Sequence, residues 1–329
     1  MSNSRAVTAF SETGSETLIR VGVIGTGAMG QNHVRIYSEM EGVELAGISD
    51  VDQTRVEAMA AQFKTKAYTD YKKMFAEGLD AVSVVVPTKL HKQVVLDALD
   101  AGLHVLVEKP IADTVENANL MIEAAKKADK VLMVGHIERF NPAVIRLKEI
   151  IDSGTLGKIV SISTRRVGPY NPRIRDVGVI LDIGVHDIDV ISYLYGKKIR
   201  GVYAIAGADI HSFEDHASII LRMDHNFAGV VETNWLTPHK VRQLTAIGVK
   251  GVAYLDYIDQ TVELHDNGWI RKAKVEPSEP LKNELVYFID CIKTGKEPNP
   301  CGEDGKHALE VAMAAIRSYE EERLIEVGQ

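Results

Sequence analysis

Cysteine is scarce in this sequence: Cys291 and Cys301 are the only two. Their spacing suits neither a zinc site nor a disulfide framework, so a reduced, cytoplasmic setting is expected. A basic excess is missing as well. The 38 Lys and Arg stand against 46 Asp and Glu, a net charge of −8, whereas a general nucleic-acid surface needs a basic stripe; nucleic acid is therefore excluded as a partner. No apolar run approaches the roughly 18 residues of a membrane span, which argues against a membrane partner. Residues Met1–Glu16 are small and polar, without the apolar core of a signal peptide, and residues 1–18 are expected to form a mobile N-terminal tail.

What the chain does have is 45% hydrophobic residues over 329 positions, enough for about two domains. The first half alternates strand and helix patterns. Val21–Ile24, Val43–Ser49, Ala81–Val86, Leu103–Val107 and Val131–Val134 read as strands separated by helical stretches. That alternation predicts an α/β Rossmann domain, a doubly wound parallel sheet, over residues 19–139. After Phe140 the pattern changes. Asn141-Pro142 opens a helix, with proline suited to the first turn. Strand patterns then follow from Lys158 to His265, with hairpin turns at Asp224-His225-Asn226, Gly248-Val249-Lys250-Gly251 and Asp266-Asn267-Gly268. Two helical stretches close the chain. Residues 140–329 are thus expected to form an α+β domain with a large, open, mainly antiparallel sheet for substrate binding and oligomerisation, its last helices able to pack back on the first domain.

Three marks carry the chemistry. Gly25-Thr26-Gly27-Ala28-Met29-Gly30 follows the first strand and opens a helix. In that context Gly25 allows the tight turn, Gly27 lets a pyrophosphate approach the backbone, and Gly30 lets the helix pack on the sheet. Asp50 ends the second strand, twenty residues after Gly30. A carboxylate there accepts from the ribose hydroxyls and repels a 2′-phosphate, so NAD is expected over NADP. The second mark is Glu108-Lys109-Pro110 at the end of another strand, on the edge where ligands bind in such sheets. Lys109 can donate to, or relay a proton from, a substrate hydroxyl; a solvated turn lysine paired with Glu108 is the plainer alternative. The third mark is Asp182-Ile183-Gly184-Val185-His186-Asp187. Asp182 and His186, four apart, share a helix face, so the carboxylate can orient the imidazole and support its protonated form. The cluster Asp182, His186, Asp187 and Asp189 also suggests a metal, but no cysteine or second histidine completes a usual site, and no metal is expected.

In this order the marks resemble the glucose–fructose oxidoreductase, inositol dehydrogenase and rhizopine catabolism group (Gfo/Idh/MocA), over nearly all of Ile19–Glu322 and including the Arg139-Phe140-x-Pro142 junction. The resemblance implies that Lys109, Asp182 and His186 form the catalytic group. It places cofactor contacts on Gly25, Thr26, Gly27, Ala28, Met29, Gly30, Asp50, Pro87, Thr88, His91 and Glu108. A narrower likeness is to the UDP-N-acetylglucosamine 3-dehydrogenase branch. It rests on residues Gly135–Pro142, on Arg165-Arg166-Val167-Gly168-Pro169-Tyr170 and on Arg173-Ile174-Arg175-Asp176-Val177-Gly178-Val179. The arginines, with Tyr170, are expected to bind substrate, because guanidinium forks suit a diphosphate; a charged strand facing water or a subunit interface is the alternative.

The implied activity is NAD-dependent oxidation of a sugar hydroxyl, the 3-hydroxyl of UDP-N-acetylglucosamine in the narrower reading. The 3-keto product would suit a separate sugar aminotransferase. A free-polyol (inositol-like) dehydrogenase, an NAD-using glycosidase with no net redox change and a non-catalytic NAD sensor remain as alternatives. Ser218, Ile220 and Arg222 alternate with Ile219, Leu221 and Met223. One sheet face is therefore expected to lack cover within the chain and to meet a copy of itself. The resemblance, to a family of dimers and tetramers built on that sheet, makes the expected assembly a homotetramer or homodimer.

Overall fold

The structure is a computed structural model describing residues 18–172, 177–223 and 228–328. The alternating first half runs β1 (Ile19–Ile24), α1 (Gly30–Glu39), β2 (Val43–Ser49), α2 (Gln53–Phe63), β3 (Ala67–Tyr68), α3 (Tyr71–Phe75), β4 (Ala81–Val84), α4 (Thr88–Asp100), β5 (His104–Glu108), α5 (Val115–Ala128) and β6 (Leu132–Gly135). All six strands are parallel, in the order β3-β2-β1-β4-β5-β6. The order reverses between β1 and β4, and ligands bind outside the carboxyl ends of the strands at such a switch point. Local chemistry sets the helix starts. Asp52 accepts from the Arg55 amide at 3.0 Å to cap α2, and Thr114 accepts from the Asn117 amide at 3.1 Å to cap α5. Helix α1 has no side-chain cap, which leaves its amino end suited to an anion.

The second half runs α6 (Pro142–Asp152), β7 (Ile159–Pro169), a π-helical turn (Ile180–Gly184), α7 (Val185–Tyr195), β8 (Gly201–Gly207), β9 (His216–Arg222), β10 (Ala228–Asn234), β11 (Leu236–Gly248), β12 (Gly251–Asp256), β13 (Thr261–Asp266), β14 (Trp269–Lys272), α8 (Pro280–Thr294), α9 (Gly302–Glu321) and β15 (Ile325–Glu326). Nine strands form one sheet, β14-β13-β12-β11-β7-β10-β9-β8-β15. It is antiparallel except where β7 and β10 pair in parallel at its middle. Strand β11 runs without a break from Leu236 to Gly248, β14 is the second arm of the hairpin expected at Asp266-Asn267-Gly268, and β15 was not expected. The extent of β11 and the presence of β15 depend on cross-strand partners, which have no local signature in sequence. Two hairpins fall where expected, pairing Gly248 with Gly251 and Asp266 with Trp269; the turn at Asp224-His225-Asn226 lies outside the described residues, as does nearly all of the expected tail.

One face of the large sheet is covered and the other is not. Ala217, Ile219 and Leu221 are buried in a core that includes Val144, Leu147, Ile188 and Ile191 from α6 and α7. On the opposite face Ile205 is 64% and Ile220 53% exposed, with Tyr203, Val230, Ile247 and Tyr254 around them. The last two long helices tie the halves together. Leu281, Leu285, Phe288 and Ile289 of α8 join Val21, Val23 and Ile36 in one core cluster. Helix α9 puts Leu309 into the core of the parallel sheet and Ala308, Val311 and Ala315 into that of the large sheet. No helix among the described residues is long and apolar enough to cross a membrane.

Candidate active site

The glycine loop sits at the exit of β1 and is shaped by two close approaches. Gly25 has φ +95°, and a Cβ there would lie 2.3 Å from the Val85 carbonyl; a Cβ on Gly30 would lie 1.9 Å from the Gly25 carbonyl. Only glycine tolerates either position. A Cβ on Gly27 would meet nothing within 4 Å, so the loop is open on the side where a phosphate group would approach. Asp50 is bound to this loop. Its Oδ2 accepts from the Thr26 amide at 2.7 Å and the Thr26 hydroxyl at 2.9 Å. Its Oδ1 accepts from the Asp52 amide at 3.0 Å and from Arg55 at 3.1 Å. Burial alone would raise its pKa, but these hydrogen bonds and Arg55 outweigh it and keep the carboxylate ionised. Arg55 is the exposed partner, and the one a ribose hydroxyl would displace. An open glycine turn, an uncapped helix start and an ionised acid fit a dinucleotide.

Two of the expected cofactor residues instead hold the scaffold. His91 is buried on α4, its ring nitrogens facing the carbonyls of Val86 at 2.9 Å and Pro110 at 3.0 Å. Burial pushes its pKa down, so the ring has a single N–H, which donates to one of these two carbonyls and fastens α4 to the β4 exit or to the loop after Lys109. Glu108 turns its carboxylate to His33 of α1, Oε1 to Nε2 3.0 Å, and to the Lys109 amide at 3.3 Å. Its side chain therefore links the glycine-loop helix α1 to the end of β5. Pro87 and Thr88 stand at the start of α4, and Ala28 and Met29 lie inside the glycine turn.

Lys109 and Asp182, 73 residues apart, meet. Lys109 Nζ donates to the Asp182 main-chain carbonyl at 2.5 Å and lies 3.6 Å from its Oδ1. Asp182 rides on the π-helical turn, a widened turn often found at functional sites. His186 is half-buried on the first turn of α7, with Nδ1 enclosed and without a hydrogen-bond partner. The expected Asp182–His186 contact is absent, because the carboxylate is turned to Lys109. The expected support for a protonated imidazole is reversed too. Burial first, then the charges of Lys109 and Arg166, hold the His186 pKa well below its usual range. The ring is a neutral base beside a cationic donor.

The expected arginine clamp divides. Neighbours on a strand face opposite ways, and Arg165 lies on the outer face, 3.3 Å from Glu232. It is no part of this site. Arg166 faces inward and is engaged by carboxylates: Nε donates to Asp187 at 3.0 Å, Nη1 to Glu138 at 2.7 Å, and the guanidinium stacks over Tyr257 at 4.8 Å, while Nη2 is enclosed without a hydrogen-bond partner. Tyr170 stacks on His211 with centroids 3.9 Å apart and tilts against Trp235. Arg173 and Arg175 lie outside the described residues.

Several contributors were not among the expected site residues, although Arg139 and His136 lie in segments that carry the resemblance. Arg139 forks onto Asp189 at 2.8 and 2.6 Å and also bonds Asn299, joining the end of the parallel sheet to α7. His136 is buried with Nδ1 3.8 Å from the same Asp189. Glu284 of α8 has both carboxyl oxygens enclosed and unpartnered; burial, then Glu108, push its pKa well above the carboxylate range, so it is neutral. Arg242 of β11 lies directly opposite Arg166 and so shares its face. Among the described residues, one group of three has potential metal-ligand atoms within 4.8 Å of one another, Asp209, Asp215 and His216, and its buried Asp215 accepts from the amides of Ile210 and His211.

This geometry agrees with comparisons to known proteins. The family model described as an oxidoreductase family with an NAD-binding Rossmann fold matches residues 19–136, and that of the GFO/IDH/MocA C-terminal domain matches residues 144–254. The chain belongs to the Gfo/Idh/MocA oxidoreductase family, and NAD is its cofactor. It is 31% identical to the myo-inositol 2-dehydrogenase of Thermotoga maritima, over 94% of this chain and 99% of that one. It is 29% identical to the UDP-N-acetylglucosamine 3-dehydrogenase of Acidithiobacillus ferrooxidans, over 90% and 95% respectively. The solved structure of the latter, GnnA, superposes with a TM-score of 0.86 at 26% identity, covering 92% of this chain and 98% of that one. The protein is thus an oxidoreductase of a family acting on CH–OH groups of sugars and polyols.

Proposed function

We propose that the protein oxidises the 3-hydroxyl of UDP-N-acetylglucosamine to the 3-keto nucleotide sugar. The observation that carries the chemistry is the meeting of Lys109, Asp182 and a neutral His186 at the carboxyl edge of the parallel sheet. Bound NAD supplies the hydride acceptor. His186 takes the hydroxyl proton on an imidazole nitrogen, and its depressed basicity keeps that nitrogen free at neutral pH. The Lys109 ammonium, held by Asp182, stabilises the alkoxide as it develops. Asp182 therefore acts on the lysine. The whole-length likeness to GnnA supports the nucleotide sugar.

Free-polyol oxidation is the second reading. It is favoured by the Thermotoga maritima relative and by the engagement of Arg165 and Arg166 with carboxylates. Following NADH at 340 nm with UDP-N-acetylglucosamine, free N-acetylglucosamine and myo-inositol separates the readings. Preference for the UDP conjugate supports the proposal; turnover of myo-inositol alone overturns it.

The exposed apolar face of the large sheet bears on assembly. Ile205, Ile220 and Val230 form surface that one chain leaves in water, and we infer that a second copy covers it in a closed homodimer or homotetramer.

A further inference from the structure

Three cations stand close enough to His186 to disfavour its protonation: Lys109, Arg166 and Arg242. Two of them have carboxylate partners, Lys109 with Asp182 and Arg166 with Asp187 and Glu138. Arg242 differs. Its Nη1 donates to the main-chain carbonyls of Val167 at 2.8 Å and Val241 at 3.1 Å, and no described residue places a carboxylate within ion-pair distance. The carbonyls anchor one nitrogen and leave Nε and Nη2 without a hydrogen bond among the described residues. The side chain is half-buried. It stands on the catalytic face, because β11 pairs Arg242 directly with Arg166.

A half-buried guanidinium fixed at one nitrogen, with its other donors unspent among the described residues, is preorganised for an anion. We propose that Arg242 is the specificity-determining residue of this site and binds the phosphate on the anomeric carbon of the sugar. The inference rests on the nucleotide-sugar reading above. One sugar ring separates a 3-hydroxyl at His186 from that phosphate. Arg242 lies one strand across from Arg166, whose Nε is bonded to the residue next to His186. Leu244 and Ala246, the next inward positions of β11, are buried core residues, so Arg242 is where this strand's inner face turns from core to site.

The test uses the full chain loaded with NAD and measures kcat and KM for UDP-N-acetylglucosamine and for free N-acetylglucosamine. Arg242→Met keeps the apolar stem and removes the charge. It should raise KM for the UDP-sugar roughly ten- to a hundredfold more than KM for the free sugar, as expected for one charge-assisted contact. The larger change should fall on KM, because the phosphate is bound alike in ground and transition states. Arg242→Lys should recover part of the loss, and added salt should weaken UDP-sugar binding to the wild type more than to Arg242→Met. Equal KM changes for the two substrates, or no recovery in Arg242→Lys, would overturn the role of Arg242 while leaving the nucleotide-sugar reading intact. Wild-type turnover of uncharged polyols with none of the UDP-sugar would overturn both.

Discussion

Replacing Arg139 by methionine tests how the two halves of the molecule are held in register. Its guanidinium makes paired hydrogen bonds of 2.8 and 2.6 Å to Asp189, and both side chains are almost fully buried, 5% and 1% exposed. Arg139 ends the chain's passage from the parallel sheet, and Asp189 lies one helical turn beyond His186 on α7. Arg139→Met leaves a buried carboxylate without its guanidinium partner, with His136 Nδ1 3.8 Å away. Breaking such a pair from one side costs about 3–5 kcal/mol, or a fall of about 4–7 °C in Tm for a chain of this size. In the wild type, burial would raise the Asp189 pKa, but Arg139 outweighs it and the net shift is downward. That stabilisation is complete above the unfolded-state value of about 3.9 and is lost only as pH falls through the lower folded value. Without Arg139 the folded pKa rises, and the variant pays for an unpaired charge above it. Acidification from pH 7.5 to 5.5 should therefore leave the wild-type contribution constant and narrow the gap by about 1 kcal/mol or more. Asp189→Asn on the Arg139→Met background removes the stranded charge and should restore part of the loss at pH 7.5. Thermal or urea unfolding at the two pH values reads all of this. A loss below about 1 kcal/mol, typical of a solvated surface pair, or a gap that widens in acid would refute the reasoning.

Four further outcomes are expected. Asp50→Ala should weaken NAD binding and improve the use of NADP, because it removes the ribose acceptor and frees Arg55, now 3.1 Å from Asp50, for a 2′-phosphate; steady-state kinetics with both cofactors check this, and wild-type use of NADP equal to NAD would contradict it. Lys109→Met and His186→Ala should each lower kcat by about 10²–10⁴-fold with little change in the NAD dissociation constant. Since His186 titrates well below its usual range, and only the neutral ring accepts a proton, the acid limb of kcat/KM should lie below about pH 6.5 in the wild type; a limb at or above pH 7 would count against His186 as the base. Ile220→Lys together with Ile205→Glu, both on the exposed sheet face, should shift light-scattering mass towards the single chain, and a wild type already of single-chain mass would remove the basis for the proposed assembly.

Much of this protein is legible in order along the chain. The glycine turn, Asp50 and the alternating apolar runs define a parallel sheet with an anion-binding helix start, because the backbone demands at Gly25 and Gly30 and the burial of consecutive valines are local constraints. Lys109, Asp182 and His186 were also recognisable, each by its motif. Which of them touch was not. The side chains of Asp182 and His186 are close in sequence, yet Asp182 pairs with Lys109, since a π-helical turn and a strand end from the other sheet decide where the carboxylate points. The arginines show the same division. Adjacent in sequence, Arg165 and Arg166 share a composition signal, but strand alternation sends one to the outer face and one into a buried network. Arg242, with no motif around it, enters the site only because β11 pairs with β7 in a register that brings it opposite Arg166. Local propensity and patterning specify elements and their faces; long-range pairing, which brings together charges far apart in sequence, decides which of those charges are spent on one another and which remain for a ligand.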